Sequence, residues 1–286
     1  MNLKCYFSKL LLVAVVIGGL LTSCSSDNEP LELQSEQESL DDVKRLAEMD
    51  DMDALLSHLV INGYENDQEV IADRAIPTAK SQNTYLPECV TVTVVAQQNF
   101  REVTLDFGTE GCLVRGRLLR GQLVFDYTRN PEAQEIQINY NLVDFYINAR
   151  QVIGSRTVLK ERENANGNPQ FTHNLNLTVV WPNGLEASRS GTKVREWVEG
   201  LGSGDFTDNV FELSGNWETT FVNGNTHSYE IIDPLRDEVA CATMVSGTVN
   251  VQRPNFGGIL DYGDGTCDAL ATFTFNNGNS TIIVLD

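Results

Sequence analysis

Basic residues are scarce in this chain. Twenty Lys and Arg stand against 40 Asp and Glu, giving a net charge of −20. That balance excludes nucleic acid and anionic lipid surfaces as docking partners, since both would be repelled. Histidine is rarer still, with only His58, His173 and His227. No close Cys-x-x-Cys pair accompanies them, which argues against a structural zinc site. Catalytic signatures are missing as well: there is no Gly-x-Ser-x-Gly elbow, no His-Glu-x-x-His and no Gly-rich phosphate loop. Acid pairs such as Glu161 and Glu163 single out nothing, because glycosidase carboxylates meet in space rather than in sequence. The expectation is a non-enzymatic protein without metal or cofactor, with a hydrolase built from dispersed carboxylates as a third reading.

Long apolar runs are also absent, apart from one between Leu10 and Leu21. A dozen residues is too short to span a bilayer, which takes roughly 20. The run follows Lys4 and Lys9 and ends in Leu21-Thr22-Ser23-Cys24. A charged start, a short apolar core and small residues before a cysteine predict a lipoprotein signal peptide over residues 1–23, with lipid on Cys24. An uncleaved anchor is the alternative. Each buried acyl methylene contributes about 0.8 kcal/mol, so several chains such as palmitate would hold the protein on a membrane without any inserting surface.

Cys5 leaves with that signal, so Cys89, Cys112, Cys241 and Cys267 remain. An even number in an exported chain predicts disulfides. The remaining length, about 260 residues, suffices for one large domain with an ample core.

Charge is unevenly spread. Between Ser25 and Ala75 lie 15 of the acids and only three of the bases. Residues 24–38 read as an acidic tether, and 39–86 as a helix and loop leading into the main domain. Within 39–60, Leu40, Val43, Leu46, Met49, Met52, Leu55, Leu56 and Leu59 recur every three to four residues, with acids between them. Asn62-Gly63 reads as the helix stop. The helix packs on its own domain or, alternatively, binds a partner through its apolar face.

From Pro87 the period changes to two. Asn174-Leu175-Asn176-Leu177-Thr178-Val179, Glu135-Ile136-Gln137-Ile138 and Thr272-Phe273-Thr274-Phe275 alternate polar with apolar, the pattern of antiparallel strands with one dry face. Asn-Gly pairs at Asn166, Asn183, Asn223 and Asn277 mark hairpins. Residues 87–286 therefore read as an all-β domain, mainly an antiparallel meander of ten to twelve strands. So many strands must form two packed layers or one strongly curved sheet.

A weak internal repeat spans residues 89–127 and 241–286. The first copy opens with Cys89-Val90-Thr91 and reaches Leu105-Asp106-Phe107-Gly108 four residues before Cys112. The second opens with Cys241-Ala242-Thr243 and reaches Leu260-Asp261-Tyr262-Gly263 four residues before Cys267. The repeat favours pairing within each copy, although four cysteines allow other connectivities.

Several segments together resemble a set of uncharacterised Bacteroidota lipoproteins. These are the Cys-x-Thr-Val opening, Arg-Gly-Arg with Arg-Gly at Arg115, Gly116, Arg117, Arg120 and Gly121, Trp197-Val198-Glu199-Gly200, residues 208–215, and Asp261 through Asp268. Ser25-Ser26-Asp27-Asn28-Glu29 is similar to the acidic export tether of that group's surface lipoproteins. The resemblance implies an outer-membrane lipoprotein displayed on the cell surface, with a periplasm-facing orientation as the alternative. It carries no assigned activity.

Few side chains suggest chemistry. Asp261, Asp264 and Asp268 flank Asp264-Gly265 and suggest a calcium loop, although an Asp- and Gly-rich turn needs no ion. Arg115, Arg117 and Arg120 offer guanidinium groups for phosphate or carboxylate, or else a charged, solvated edge strand. Trp181, Trp197 and Trp217 suit either sugar stacking or core packing; Trp181, before Pro182-Asn183-Gly184, is the ligand-binding candidate among them. The function expected is a lipid-anchored envelope module with a structural or binding role, attached to the outer membrane and contacting a glycan or an envelope protein. A carbohydrate-binding accessory to nutrient uptake is the second reading.

Overall fold

The computed structural model describes residues 31–73 and 85–285, with helix side chains from Leu40 to Glu69. The signal peptide, Cys24 and the tether up to Pro30 lie outside the described residues. Fifteen strands form a single antiparallel sheet, and one helix precedes it. They are α1 (Leu31–Asp73), β1 (Thr91–Gln97), β2 (Phe100–Asp106), β3 (Cys112–Val114), β4 (Arg117–Thr128), β5 (Glu135–Ile147), β6 (Arg150–Ile153), β7 (Ser155–Glu161), β8 (Gln170–Val180), β9 (Glu186–Glu199), β10 (Val210–Phe221), β11 (Thr226–Glu238), β12 (Ser246–Arg253), β13 (Phe256–Asp264), β14 (Leu270–Phe275) and β15 (Ser280–Val284). The main path runs β1-β2-β4-β5-β6-β8-β9-β10-β11-β12-β13-β14-β15, with β3 beside β4 and β7 between β5 and β8.

Of the two architectures expected, the strongly curved sheet is the one formed, and it curls around the helix. From Leu46 to Tyr64, almost every helix residue is buried on every side. Partners reach it from β2, β4, β6, β7, β9, β11, β12 and β13, which no flat sheet could supply. A helix buried all round is ordinarily apolar all round. This one is not, and its polar partners are described below.

The helix is longer than its sequence pattern predicts, 43 residues. It begins at Leu31, inside the expected tether, and runs through Asn62-Gly63 into the expected loop. Gly63 does not stop it because the glycine serves packing. A Cβ there would sit 2.8 Å from Phe125 Cε1 on β4, so the missing side chain makes room for a ring.

The strand count exceeds the expected ten to twelve because short strands were invisible in the pattern. Gly154, at φ +153, separates β6 from β7, and β3 has only three residues. All four Asn-Gly pairs do connect consecutive strands. Asn183, Asn223 and Asn277 each accept the backbone N–H two residues on, a side-chain turn that leaves the following glycine at positive φ.

The repeat is structural. Disulfides join Cys89 to Cys112 and Cys241 to Cys267. Each copy is a hairpin plus a third strand, β1-β2-β4 and β12-β13-β14. The shared Leu-Asp-aromatic-Gly has the same job in both. Asp106 accepts from Gly108 N at 2.8 Å and Asp261 from Gly263 N at 2.9 Å, while Phe107 and Tyr262 fill the core.

Candidate functional site

The acids of the helix meet cations that the strands point inward. Asp50 accepts from Arg189 Nη1 at 2.6 Å, Lys193 Nζ at 3.2 Å and Tyr262 Oη at 3.2 Å. Asp53 pairs with Arg156 and with Lys193 Nζ at 2.9 Å. Asp237 of β11 bonds His58 Nε2 at 2.8 Å and Arg195. Glu48 takes Arg150 and the indole N–H of Trp181 at 2.7 Å. Burial alone would raise the Asp53 carboxyl, but Arg156 and Lys193 hold it well below the usual carboxylate range. All three histidines are buried. Burial, with Arg195 nearby, pushes His173 down to about 3. Periodicity detected the helix but not this arrangement. The bases of β9 alternate in register with its outward Ser188, Ser190 and Thr192, a signal that was available.

At one end of the curl lies a small niche among Asp51, His58, Tyr85, Arg117 and Asp237, of about 20 Å³. That is room for roughly one water, not a substrate. Burial raises the Asp51 carboxyl well above its usual value, with Arg117 opposing. Arg115 and Arg117 close this end. Arg115 Nη2 donates to the carbonyls of Val239 and Ala240 at 3.2 and 3.0 Å, and Arg117 Nη2 to that of Ala242 at 3.0 Å. They thus clasp the corner after Cys112 to the corner holding Cys241. Arg115 lies in the turn between β3 and β4, and β4 is paired with β3 at Arg117 and runs on between β2 and β5, so the charged-edge expectation is corrected.

Arg120 is different. It follows the same motif but points to the outer face, beside Gly121, where the β4–β5 register shifts. Gly121 has φ +85 and Asp144, across from it, φ +46. A side chain at Gly121 would collide with the Asp144 carbonyl, so this bulge requires glycine. The Arg120 stem lies over Gly111, where a Cβ would come within 2.8 Å of Cγ. Its guanidinium lies over Tyr146, 4.6 Å from the ring centroid. Among the described residues it makes no ion pair or hydrogen bond, and its Nε is buried without a partner. It lines an open depression of about 450 Å³ with Asp106, Gln122, Val143, Asp144 and Tyr146. The Gly108 N–H and the Gln122 amide hold the Asp106 carboxyl below its ordinary pKa, so it stays an acceptor.

The other candidates take structural places. Trp181 is 7% exposed, Trp197 6% and Trp217 2%, so none presents a ring face to a sugar. Asp264 accepts from Thr266 N at 3.3 Å and Asp268 from Leu270 N at 3.1 Å. With Asp261 committed to Gly263, each carboxylate serves its own turn. Among the described residues the three do not gather around a common point; the one such group is Glu238 with the disulfide cysteines 241 and 267. Asp106, Asp144 and Tyr146 escaped sequence reasoning. Only Asp106 had a signal, its match to Asp261.

No family model, curated protein or solved structure matches this chain.

Proposed function

We propose that this chain is an exported, lipid-anchored, non-enzymatic binding protein of the outer membrane, and that the Arg120 depression takes a saccharide. One observation carries the binding role: Arg120 is fixed on both sides, by Gly111 and Tyr146, yet has no counter-anion in the described fold. In a chain with twice as many acids as bases, a cation held this way is a preorganised donor. The neighbouring Asp106, Gln122 and Asp144 supply acceptors. Donors and acceptors around one shallow depression suit the hydroxyls of a sugar ring better than a free anion, which the two carboxylates would repel. The two disulfides favour an oxidising compartment, in keeping with the signal sequence and Cys24. Acidic display on the cell surface fits the tether's resemblance to surface lipoproteins.

The test is a glycan array probed with the mature protein and with Arg120→Ala. Binding that falls at least tenfold in the variant supports the reading. A protein that binds nothing, or binds equally without Arg120, overturns it. Cells fed labelled palmitate test the anchor separately: label should appear on the wild type and vanish with Cys24→Ser.

A further inference from the structure

The core is left open at one edge of the sheet. β1 ends the strand order and pairs only with β2, through seven consecutive residues without a register shift. Val92 stands opposite Leu105 and Val94 opposite Val103. Leu105 and Val103 are buried in the core, so Val92 and Val94 point to the same inner face. They are nevertheless 50% and 44% exposed. On the outer face of the strand Val95 is exposed as well. The opposite edge differs. β15 also pairs on one side only, but its inward Ile283 is buried, so the core is closed there.

β1 lacks the devices that ordinarily guard such an edge. A free edge presents unpaired N–H and C=O groups, which natural proteins shield with lysine, proline, a bulge or a very short strand. Thr91-Val92-Thr93-Val94-Val95-Ala96-Gln97 has no charge, no proline and no bulge, and its first five residues are all β-branched, which suits a strand. Among the described residues its far edge makes no backbone hydrogen bond. The Cys89–Cys112 disulfide ties the chain just before β1 to β3, so the strand is pinned at its start.

These features specify the occupant. Unpaired main-chain groups take another strand, and the uncovered valines call for apolar side chains on its inner face. The chain carries a net charge of −20, so two copies repel one another and can meet most readily along a seam without charge. β1 is such a seam, and it is its own complement. Antiparallel pairing about a two-fold axis at Val94, normal to the sheet, keeps both inner faces on one side. It sets Val94 against Val94, Val92 against Ala96, Thr93 against Val95 and Thr91 against Gln97. No like charges meet, and the valines at 92 and 94 of both copies cover one another.

We infer that this protein forms a two-fold dimer through β1, with one antiparallel sheet continuing across both copies. The inference is independent of the saccharide reading, since no β1 residue lines the Arg120 depression.

The experiment uses the mature chain with Cys24→Ser, which keeps lipid and micelles out of the measurement. Sedimentation velocity over a dilution series should show a monomer–dimer equilibrium, and added salt should tighten it by screening the net charge. Val94→Lys places a natural edge guard at an exposed position; it should raise the dissociation constant at least tenfold and leave the melting temperature of the dilute monomer unchanged. Val284→Lys, at the opposite edge, should leave the dimer as it is. Mild oxidation of Val94→Cys should link two copies, because the axis pairs residue 94 with itself, whereas Val92→Cys should link only when mixed with Ala96→Cys. A protein that stays monomeric throughout the series overturns the inference, and so does a dimer that Val94→Lys leaves intact, that Val284→Lys dissolves, or that salt weakens. If the β1 amides of a monomer are protected from hydrogen exchange, a segment of the same chain covers the edge and the dimer is wrong.

Discussion

The two faces of β9 have exchanged their usual contents. Inward it carries Arg189, Lys193 and Arg195, all buried; outward it carries Ser188, Ser190 and Thr192, all exposed. Most sheets place their cations in water. Here the helix brings Asp50 and Asp53 inside, so the cations follow them. The interior pairs are expensive to desolvate and are sustained because each has a charged partner, although Nε and Nη2 of both Arg156 and Arg195 are buried without a hydrogen bond. Arg189 also donates to the Leu46 carbonyl and to Thr219 Oγ1, both at 3.1 Å. The outer face, relieved of cations, is free to carry short amides and hydroxyls. Alternation thus reports which face is dry without reporting which face is charged.

The largest expected effect comes from breaking an inner pair and leaving the outer face intact. Asp53→Ala leaves Arg156 in the core without its carboxylate and Lys193 with Asp50 alone. Removing one member of a buried pair typically costs about 3–5 kcal/mol. Thr192→Ala, on the other face of β9, should stay within about 0.5 kcal/mol. Urea denaturation of the mature protein reads both. Equal costs would mean that the inner charges are hydrated and the contrast between the faces is false.

Acid should erode the inner face first. His173 is neutral in the fold, with Arg195, Arg156, Lys193 and Asp53 around it. The unfolded chain takes up a proton below about pH 6.5, whereas the folded chain declines it until pH is near 3. The His173 contribution is therefore complete above that window and is lost as pH drops through it, by up to about 1.4 kcal/mol per pH unit, while Asp51, whose carboxyl is raised by burial, opposes part of the loss because the fold takes up its proton before the unfolded chain does. Asp53, whose folded pKa is depressed, adds to the loss only once unfolded carboxylates begin to protonate, near pH 4. His173→Phe should flatten the urea midpoint between pH 6.5 and 4 and spare the steeper limb below. A slope unchanged by the substitution would assign the proton uptake to another group.

Much of the architecture was readable before any coordinates. Period-two alternation located the strands, and the matched Leu-Asp-aromatic-Gly segments pointed to the disulfides that form. That worked because both signals are local: a strand's dry face and an aspartate capping its own turn depend on neighbours a few residues away. The interior escaped for the opposite reason. His58 and Asp237 are 179 positions apart, and acids on a helix look the same in sequence whether they face water or arginine. Arg115, Arg117 and Arg120 show how narrow the margin is. Five residues apart, two are consumed by carbonyls of a distant corner and one stays open, and the difference is a bulge at Gly121.

Gly63 offers the smallest and sharpest test, because two rules disagree about it. Replacing a mid-helix glycine with alanine ordinarily stabilises by about 1 kcal/mol, which is what reading Asn62-Gly63 as a helix stop would overlook. Against this, the new Cβ would lie 2.8 and 3.0 Å from the Phe125 ring, and Phe125 is fully buried on a central strand. Overpacking of that kind costs about 1–3 kcal/mol, so Gly63→Ala should be destabilising by about 1 kcal/mol net. Adding Phe125→Leu should make room for the methyl and let the helical gain appear, so the double variant should be more stable than Phe125→Leu alone. A thermodynamic cycle over the four proteins measures the coupling. If Gly63→Ala stabilises in both backgrounds, the ring does not press on the helix and the sheet is less tightly curled there than its packing indicates.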